Sequence, residues 1–412
     1  MEPVPYFRPD LGEAEIDEVV ATLRSGWLTS GPRVKRFEAE FARNLRAGSA
    51  VAVNSCTAAL HLAVAALGLE RGQGVLVPTM TFAATAEVVR YLGGVPILVD
   101  CDPHTLNLSY GDAERRLADL GCGRLPAAID RDLAVVGVLP VHVGGRMVDV
   151  AATRAFAERH RLWVVEDAAH AFPAAWRSGP GSPWRRCGEA TGDVACFSFY
   201  ANKTITTGEG GMAVTDDQEL AERMRCLSLH GLSRDAWGRY TSEGSWDYRI
   251  LAPGYKYNLS DVAAAIGLGQ LERAEAMRRR REEIARRYLD ALGDVEEIEL
   301  SALPENRVHS WHLFQIRLRR GALAIDRDAF LEGLRQRGIG FSVHWRPLHL
   351  HPYYAETFGW RPEDLPVASE VWRRTVSLPI FPTLEPGELD AVCRAVRELC
   401  RRHRRAAAAA GP

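Results

Sequence analysis

Several features that identify common classes of protein are missing from this 412-residue sequence. The eight cysteines show no paired CxxC spacing, which argues against a zinc or redox-active site. The first residues, MEPVPYFRPD, include neither a basic start nor the apolar segment of a secretory leader. No apolar run approaches the length of a membrane-spanning helix. We therefore expect a reduced, cytoplasmic protein with no metal and no membrane partner.

An excess of charge of one sign is missing as well. The sequence has 51 Lys and Arg residues against 53 Asp and Glu residues, and its formal net charge is -2. Because there is no overall basic field, we do not expect nucleic acid as a partner. Any anion must therefore bind at a local site.

What is present is a regular alternation of short apolar runs with amphipathic segments. The runs AVAVN, GVLVPT, VPILVDCD, LAVVGVLPVH and LWVVEDAAH are rich in Val and Leu on both faces. Such runs, separated by helices, predict an α/β fold with a mostly parallel central sheet and helices on both faces. Residues 1–258 form the predicted large domain, and residues 259–412 form a smaller α+β domain that begins with a long helix capped by Ser260. Ligands of such sheets bind at the carboxyl ends of the strands.

The segment VNSCTAALHLAV follows the first of these strands and opens a helix. Free backbone N–H groups and hydroxyls at a helix N-terminus suit an anionic group, preferably a phosphate. Ordinary N-capping by Ser55 or Thr57 explains the same residues equally well. The segment lacks the glycines of a P-loop or a GxGxxG turn, so it does not indicate a nucleotide fingerprint.

Two further strands end in chemically active side chains. Asp167 and His170, in LWVVEDAAHA, suit a metal ligand, a general base or a partner for a ring cation, although Asp167 also suits a helix N-cap and His170 a structural role. In FSFYANK, Ser198 precedes Lys203 by five residues. Lys203 in isolation would be interpreted as a surface residue, but a buried lysine can lose its proton and form an imine.

A phosphate cradle, a carboxylate and a lysine in one α/β domain meet the needs of pyridoxal phosphate. That cofactor has a phosphate, a ring nitrogen that must stay protonated and an aldehyde that condenses with lysine. Phe82, in VPTMTFAAT, follows a strand and could stack on the ring, or it could belong to the core.

Jointly these motifs resemble the DegT/DnrJ/EryC1/StrS family of pyridoxal-phosphate-dependent aminotransferases, which act mostly on keto sugars attached to nucleotides. The resemblance covers nearly the whole chain and includes SGWLTSGPRVKRFEAEFA, GYKYNLSDVAAAIGLGQL and WHLFQIRL. It implies the aspartate aminotransferase-like fold (fold type I of these enzymes) and a homodimer with shared active sites.

The resemblance also implies roles for individual residues. Lys203 forms the imine, Asp167 pairs with the pyridinium nitrogen, and His170 neighbours the ring hydroxyl. The implied phosphate ligands are Thr57, Ala58 and Ser198, and the implied substrate contacts are Trp27, Thr29 and His344. Many members have His where this chain has Tyr200, and many read G-Y-N-Y-R where this chain reads GYKYN. Either Lys256 or Asn258 is therefore expected to reach the phosphate of the other subunit.

Within the family, the segments LHGLSRDA and GYKYNLSD are most similar to the branch that aminates a 4-keto group. This implies L-glutamate as amino donor and a nucleotide-linked 4-keto-6-deoxyhexose or 4-ketopentose as acceptor. Candidate cations for the diphosphate, each also explained as a solvated surface residue, are Arg33, Lys35, Arg234 and Arg239. The alternatives are a cyclitol ketone aminotransferase and a non-catalytic regulatory protein on the same fold. A sugar dehydratase of the family would have His in place of Lys203.

Overall fold

The structure, a computed structural model, describes residues 3–233, 248–301 and 305–405, and it contains thirteen strands and twelve α-helices within those ranges. The strands are β1 (Ser49–Val53), β2 (Gly74–Pro78), β3 (Val95–Val99), β4 (Val135–Val138), β5 (Trp163–Asp167), β6 (Ala175–Trp176), β7 (Arg185–Arg186), β8 (Val194–Ser198), β9 (Gly211–Thr215), β10 (Ile298–Leu300), β11 (Arg307–Val308), β12 (Phe314–Leu318) and β13 (Thr375–Leu378). The α-helices are α1 (Glu13–Ser25), α2 (Pro32–Leu45), α3 (Cys56–Ala66), α4 (Ala84–Tyr91), α5 (Tyr110–Gly121), α6 (Val150–His160), α7 (Gln218–Ser228), α8 (Asp261–Leu292), α9 (Arg327–Arg335), α10 (Pro352–Phe358), α11 (Pro366–Trp372) and α12 (Pro386–His403).

A seven-stranded sheet in the order β1-β9-β8-β5-β4-β2-β3 forms the centre of the molecule. Every neighbouring pair from β8 to β3 is parallel, whereas β9 runs antiparallel to both β1 and β8. The prediction of a mostly parallel sheet is therefore confirmed. β9 is the exception because the chain leaves β8 and returns beside it through a loop of twelve residues that carries Lys203.

Helices cover both faces of this sheet, and the alternation of side chains along a strand explains how. In β1, Val51 and Val53 belong to the apolar core beneath α3, α4 and α7, whereas Ala50 and Ala52 belong to the core beneath α2 and α8. Because both faces are buried, the strand needs apolar residues at successive positions. This requirement accounts for the continuous apolar runs in the sequence.

A second core lies around the antiparallel sheet β10-β12-β13, which α9 and α12 cover. The long helix α8 connects the two cores, because Leu268 packs against the large sheet and Tyr288 packs in the smaller core. The hydroxyl of Ser260 caps α8 by accepting a hydrogen bond from the Ala263 N–H, as predicted.

The predicted domain boundary at residue 258 stays a prediction, and the apolar cores show where chain segments cross it. Val4, near the N-terminus, packs in the smaller core, whereas Tyr354 and Trp360 pack in the large core under α3 and α4. The two regions are thus joined by exchanged segments as well as by α8. None of the helices in the described ranges is long and apolar enough to cross a membrane.

Candidate active site

A cavity of about 490 Å³ opens at the carboxyl ends of the parallel strands. Asp167 is the last residue of β5 and Ser198 the last residue of β8, and both line the cavity. The predicted site residues found in its wall are Thr57, Phe82, Asp167, His170, Ser198, Lys203 and His344. The volume is in the range of sites for small organic molecules. The sheet topology thus brings together residues as far apart as Thr57 and Lys203, as the rule for parallel sheets predicts, whereas His344 comes from the smaller core.

Lys203 lies in the turn after β8, where its N–H donates to the carbonyl of Tyr200 over 2.9 Å. The sequence has three lysines, Lys35, Lys203 and Lys256, and among the described residues only Lys203 lines the cavity. Its side chain is half-buried. Burial lowers the pKa of Lys203 to about 8, against an opposing effect of nearby Cys56 and Asp167. A neutral amine, the form that attacks an aldehyde, is therefore accessible near neutral pH.

Asp167 is only 6 % exposed, and both of its carboxylate oxygens accept hydrogen bonds. The Thr85 hydroxyl donates to Oδ2 over 2.7 Å, and the Ala169 N–H donates to Oδ1 over 3.1 Å. Thr81 Oγ1 lies 2.7 Å from Thr85 Oγ1 and supports that donor. The residues after Asp167 form turns rather than a helix, so its side chain is not an N-cap.

His170 is held in one tautomer by its surroundings. The Gly144 N–H donates to Nδ1 over 3.2 Å, so a neutral ring carries its proton on Nε2. Burial lowers the pKa of His170 well below its usual value, and the nearby Lys203 acts in the same direction. The indole of Trp345 stacks on the ring at 5.1 Å between centroids. The cavity thus receives an N–H donor from a neutral imidazole of fixed orientation.

The start of α3 forms another part of the wall. The hydroxyl of Ser55 caps α3 by accepting from the Ala58 N–H over 3.1 Å, so the capping interpretation holds for Ser55. Thr57 lines the cavity, whereas Ala58 is not among the lining residues. Gly211 lies against this turn so closely that a Cβ there would be 2.4 Å from the carbonyl carbon of Ser55. The absence of a side chain at Gly211 lets β9 approach the helix start.

Besides Ala58, four predicted site residues are absent from the cavity wall and lie close to one another elsewhere: Trp27, Thr29, Lys256 and Asn258. The amide of Asn258 donates to the Ser30 hydroxyl over 2.7 Å, and Lys256 Nζ donates to Asn258 Oδ1 over 2.5 Å. The indole Nε1 of Trp27 donates to the Ser30 carbonyl, and the Thr29 carbonyl accepts from the N–H of Asp261. The candidate cations Arg234 and Arg239 lie outside the described residues.

Among the cavity residues that the sequence analysis did not single out are His312 and Trp345. His312 belongs to WHLFQIRL, which was quoted for the resemblance, and Trp345 directly follows the predicted substrate contact His344. Neither follows a strand of the central sheet, so the rule that selected Asp167 and Ser198 did not select them. They reach the cavity because the smaller core packs against the large one near the carboxyl ends of the parallel strands.

A group of potential metal ligands lies behind the cavity. The ligand atoms of His142, Glu166 and Cys187 lie within 4.8 Å of one another, and all three residues are buried. However, the Val148 N–H donates to Nδ1 of His142 over 3.1 Å, which leaves the ring proton on Nε2 and no lone pair there for a metal. The backbone N–H of His142 donates to the Asp167 carbonyl over 3.2 Å. The group therefore supports the position of Asp167 rather than forming a metal centre.

Comparison with known proteins shows which family the chain belongs to. Residues 9–397 match the DegT/DnrJ/EryC1/StrS aminotransferase family. The chain belongs to this family. It is 42 % identical to the spore coat polysaccharide biosynthesis protein SpsC of Bacillus subtilis over 397 residues, which cover 96 % of this chain and 97 % of that protein.

Solved structures of family members have the same architecture. The chain is similar to the putative sugar aminotransferase Spr1654 from Streptococcus pneumoniae in its PLP form, with a TM-score of 0.85 at 30 % identity over 97 % of this chain and 99 % of that one. It is also similar to the aminotransferase TlmJ from Streptoalloteichus hindustanus, with a TM-score of 0.83 at 32 % identity and the same coverage. The fold is that of the fold type I, pyridoxal-phosphate-dependent aminotransferases, as predicted.

Pyridoxal phosphate is accordingly the cofactor of this aminotransferase, and the cavity residues fit it. Lys203 offers an amine of lowered pKa, and Asp167 offers a carboxylate held by two donors. The N-terminus of α3 and the Ser198 hydroxyl offer hydrogen bonds to a phosphate.

Proposed function

We propose that the enzyme transfers an amino group from L-glutamate to a nucleotide-linked keto sugar, specifically a 4-keto-6-deoxyhexose, and so produces an amino sugar nucleotide. The observation that supports the transfer chemistry is Lys203: it lines the same cavity as Asp167, and its pKa is lowered to about 8. The sequence motifs of the 4-keto branch support the acceptor.

In this proposal the predicted site residues of the cavity bind the cofactor or act in the reaction. Lys203 binds the aldehyde carbon, and after the donor has displaced it, its free amine moves the proton from the α-carbon of the amino acid. Asp167 keeps the ring nitrogen protonated, and the Nε2–H of His170 donates to the ring hydroxyl. The bound cofactor supplies an electron-withdrawing ring that accepts the charge released at the α-carbon. The phosphate ligands in the proposal are Thr57, Ala58 and Ser198, and Phe82 covers the ring.

The amino group passes through the enzyme in two half-reactions. L-Glutamate gives up its amine and leaves as 2-oxoglutarate, and the keto sugar then enters and takes the amine. Lys203 serves both halves, as base in one and acid in the other. We expect ping-pong kinetics, because the first product leaves before the second substrate binds.

We further propose a cytoplasmic homodimer with shared active sites. Lys256 is exposed and Asn258 half-buried, and neither lines the cavity of its own chain. An exposed lysine is suited to a charge-assisted contact with the phosphate in the partner subunit. Trp27 and Thr29 lie next to this pair and would contact the substrate bound by the partner, opposite His344.

The diphosphate of the acceptor needs local cations. Arg33 is a weak candidate, because its guanidinium pairs with Glu18 at 2.9 Å. Lys35, Arg234 and Arg239 remain candidates, each also explained by solvation at the surface.

A substrate panel tests the proposal. The purified enzyme is incubated with L-glutamate and UDP-, dTDP- and GDP-linked 3-keto and 4-keto sugars, and products are identified by mass. We expect an amine in place of the ketone on a 4-keto sugar nucleotide and on no 3-keto sugar. Rapid amination of scyllo-inosose with no reaction of any sugar nucleotide would favour the cyclitol alternative. A protein that shows no spectral change with any amino acid would support the non-catalytic alternative.

A further inference from the structure

His312 lines the cavity and lacks the partners that a buried histidine normally has. It is 5 % exposed, and within the described part of the chain neither ring nitrogen has a hydrogen-bond partner. Leaving a buried polar atom without a hydrogen-bond partner destabilises the folded protein. Buried polar groups in folded proteins are nearly always paired, so an orphaned ring in the wall of a binding cavity indicates a partner that arrives with a ligand.

The neighbours of His312 are histidines that already have one bond each. The ring of His170 lies 4.1 Å away between centroids, and its Nδ1 accepts from Gly144. Nδ1 of His344 lies 2.9 Å from the hydroxyl of Ser377, so its Nε2 is the nitrogen left for a ligand. The cavity wall therefore offers the imidazoles of His312 and His344 from the small-domain side, and the ring of His312 lies beside that of His170.

These imidazoles matter because other cations are scarce in the cavity. Among the described residues that line it there is no arginine, and Lys203 is its one lysine. Lys203 is occupied in holding the cofactor and moving the proton. An anionic group that enters beside Lys203 can take charge-assisted hydrogen bonds from the imidazoles, in addition to bonds from neutral groups of the wall such as Ser342.

We infer that His312, together with His344, binds the α-carboxylate of the amino donor. This inference rests on the proposed function, in which an amino acid enters the cavity and Lys203 removes its α-proton. The carboxylate is bonded to the same carbon as that proton, so it must lie within a few ångströms of the Lys203 amine. An imidazole N–H that donates to a carboxylate forms a charge-assisted hydrogen bond.

The electrostatics agree with this geometry. Burial lowers the pKa of His312 well below its usual value, with smaller effects of His170 and Lys203, and burial lowers the pKa of His344 to about 4. Both rings are therefore neutral without a ligand. Neutral rings carry no charge that would attract other anions. A bound carboxylate would favour the protonated forms of both rings.

The test replaces His312 and measures the two half-reactions of the holoenzyme separately. His312→Leu removes both nitrogens, whereas His312→Gln retains an N–H donor. We expect the Kd for L-glutamate, followed by the loss of the visible cofactor band, to rise at least tenfold in the Leu variant and to be partly restored in the Gln variant. The reaction of the aminated enzyme with the keto sugar should change less than threefold. His309→Leu, in the same segment but outside the cavity wall, is the control and should match the wild type.

Two ligands sharpen the test. 4-Aminobutyrate lacks the α-carboxylate, so its weaker reaction should be the same in wild type and His312→Leu. L-2-Methylglutamate has no α-proton, so calorimetry with it measures binding without turnover, and its Kd should rise as that of L-glutamate does.

The outcomes separate this inference from the proposed function. If L-glutamate bleaches the wild type and the Leu variant with equal affinity, or if the Leu variant loses only the keto-sugar half-reaction, the inference is wrong and the aminotransferase proposal stands. If wild-type enzyme reacts with 4-aminobutyrate as readily as with L-glutamate, the carboxylate site does not exist. If no amino acid bleaches the wild type, the donor proposal itself is wrong.

Discussion

The residues that the family resemblance assigned to the cofactor and the substrate include an inner and an outer group in the structure. The inner group, Asp167, His170 and Lys203, lines one cavity, and its members are buried or half-buried. In the outer group, which comprises Trp27, Thr29, Lys256 and Asn258, Thr29 and Lys256 are exposed and no member lines the cavity. In the proposed function the inner group acts within one chain, whereas the outer group acts at the site of a second chain.

The two groups also differ in what holds them. Hydrogen bonds from the core fix the inner group: Thr85 orients Asp167, and Gly144 orients His170. The outer group is held by neighbours at the surface, such as the Ser30 hydroxyl that accepts from Asn258. Substitutions in the inner group should therefore alter chemistry, and substitutions of Lys256 or Asn258 in the outer group should alter retention of the cofactor.

The largest effect is expected from Lys203→Ala. Because it removes both the imine-forming amine and the proton carrier, turnover should fall by at least about 10³-fold, while the protein still folds. Borohydride should trap no adduct on the variant, and Lys203→Arg should fail as well, because guanidinium stays protonated. Lys35→Ala is the control and should change stability by no more than roughly half a kcal/mol. Peptide mapping of the reduced wild type that located the pyridoxyl group on Lys35 or Lys256 would contradict the assignment.

The next largest effect is expected from Asp167→Asn. The amide cannot hold the ring nitrogen protonated, so turnover should fall on the order of 10²-fold. Thr85→Val removes one hydrogen bond to the carboxylate and retains the charge, so its loss should be smaller. Steady-state kinetics of the two variants, with bound cofactor quantified, checks the order. Equal losses in both variants would mean that orientation, and not charge, is the contribution of Asp167.

The rate at which cofactor-free protein binds the cofactor aldehyde should increase about tenfold when the pH is raised from 7 to 9. The neutral fraction of an amine with a pKa of about 8 increases by that factor over the interval. This rate should rise through pH 8 and level off above pH 9. The reason is that a lowered pKa makes the neutral amine available at a lower pH than in an ordinary lysine. The trapped adduct, measured against time at each pH, gives the rate. A rate that continues to rise toward pH 10.5, where the amine of a solvent-exposed lysine titrates, would show an ordinary lysine.

The smallest effect is expected in the outer group. Lys256→Ala should weaken cofactor retention by about tenfold, the value of one hydrogen bond to a charged group, with little change in turnover of the loaded enzyme. Asn258→Ala is the matched variant. Comparison of cofactor retention in the two variants shows which of the two residues reaches the phosphate.

Mixing experiments decide whether the outer group acts across subunits. Heterodimers of the Lys203→Ala and Lys256→Ala proteins should hold one site with both native residues and show activity at low cofactor concentrations, where neither parent does. A fully active monomer in dilute solution would remove the distinction between the inner and outer groups.

Sequence reasoning identified the inner group because a simple rule applies to it. Asp167 and Ser198 end strands whose Val-rich runs are visible in the sequence, and the carboxyl ends of parallel strands meet at one edge. Lys203 could be linked to them only through the chemistry of a cofactor that needs all three. Ala58 belongs to the expected phosphate motif at the start of α3, but its N–H donates to Ser55 and it does not line the cavity, so its contact with the phosphate stays a prediction.

The sequence by itself determined the parallel sheet and the cofactor and indicated the lysine expected to bind it, because buried strands require apolar runs and the cofactor requires a definite set of side chains. Only the tertiary structure decided that His312 and Trp345 complete the cavity and that Lys256 and Asn258 lie outside it. Those positions depend on how the smaller core packs against the larger one. Such packing sums many weak contacts between residues distant in the chain, and no local pattern records its outcome.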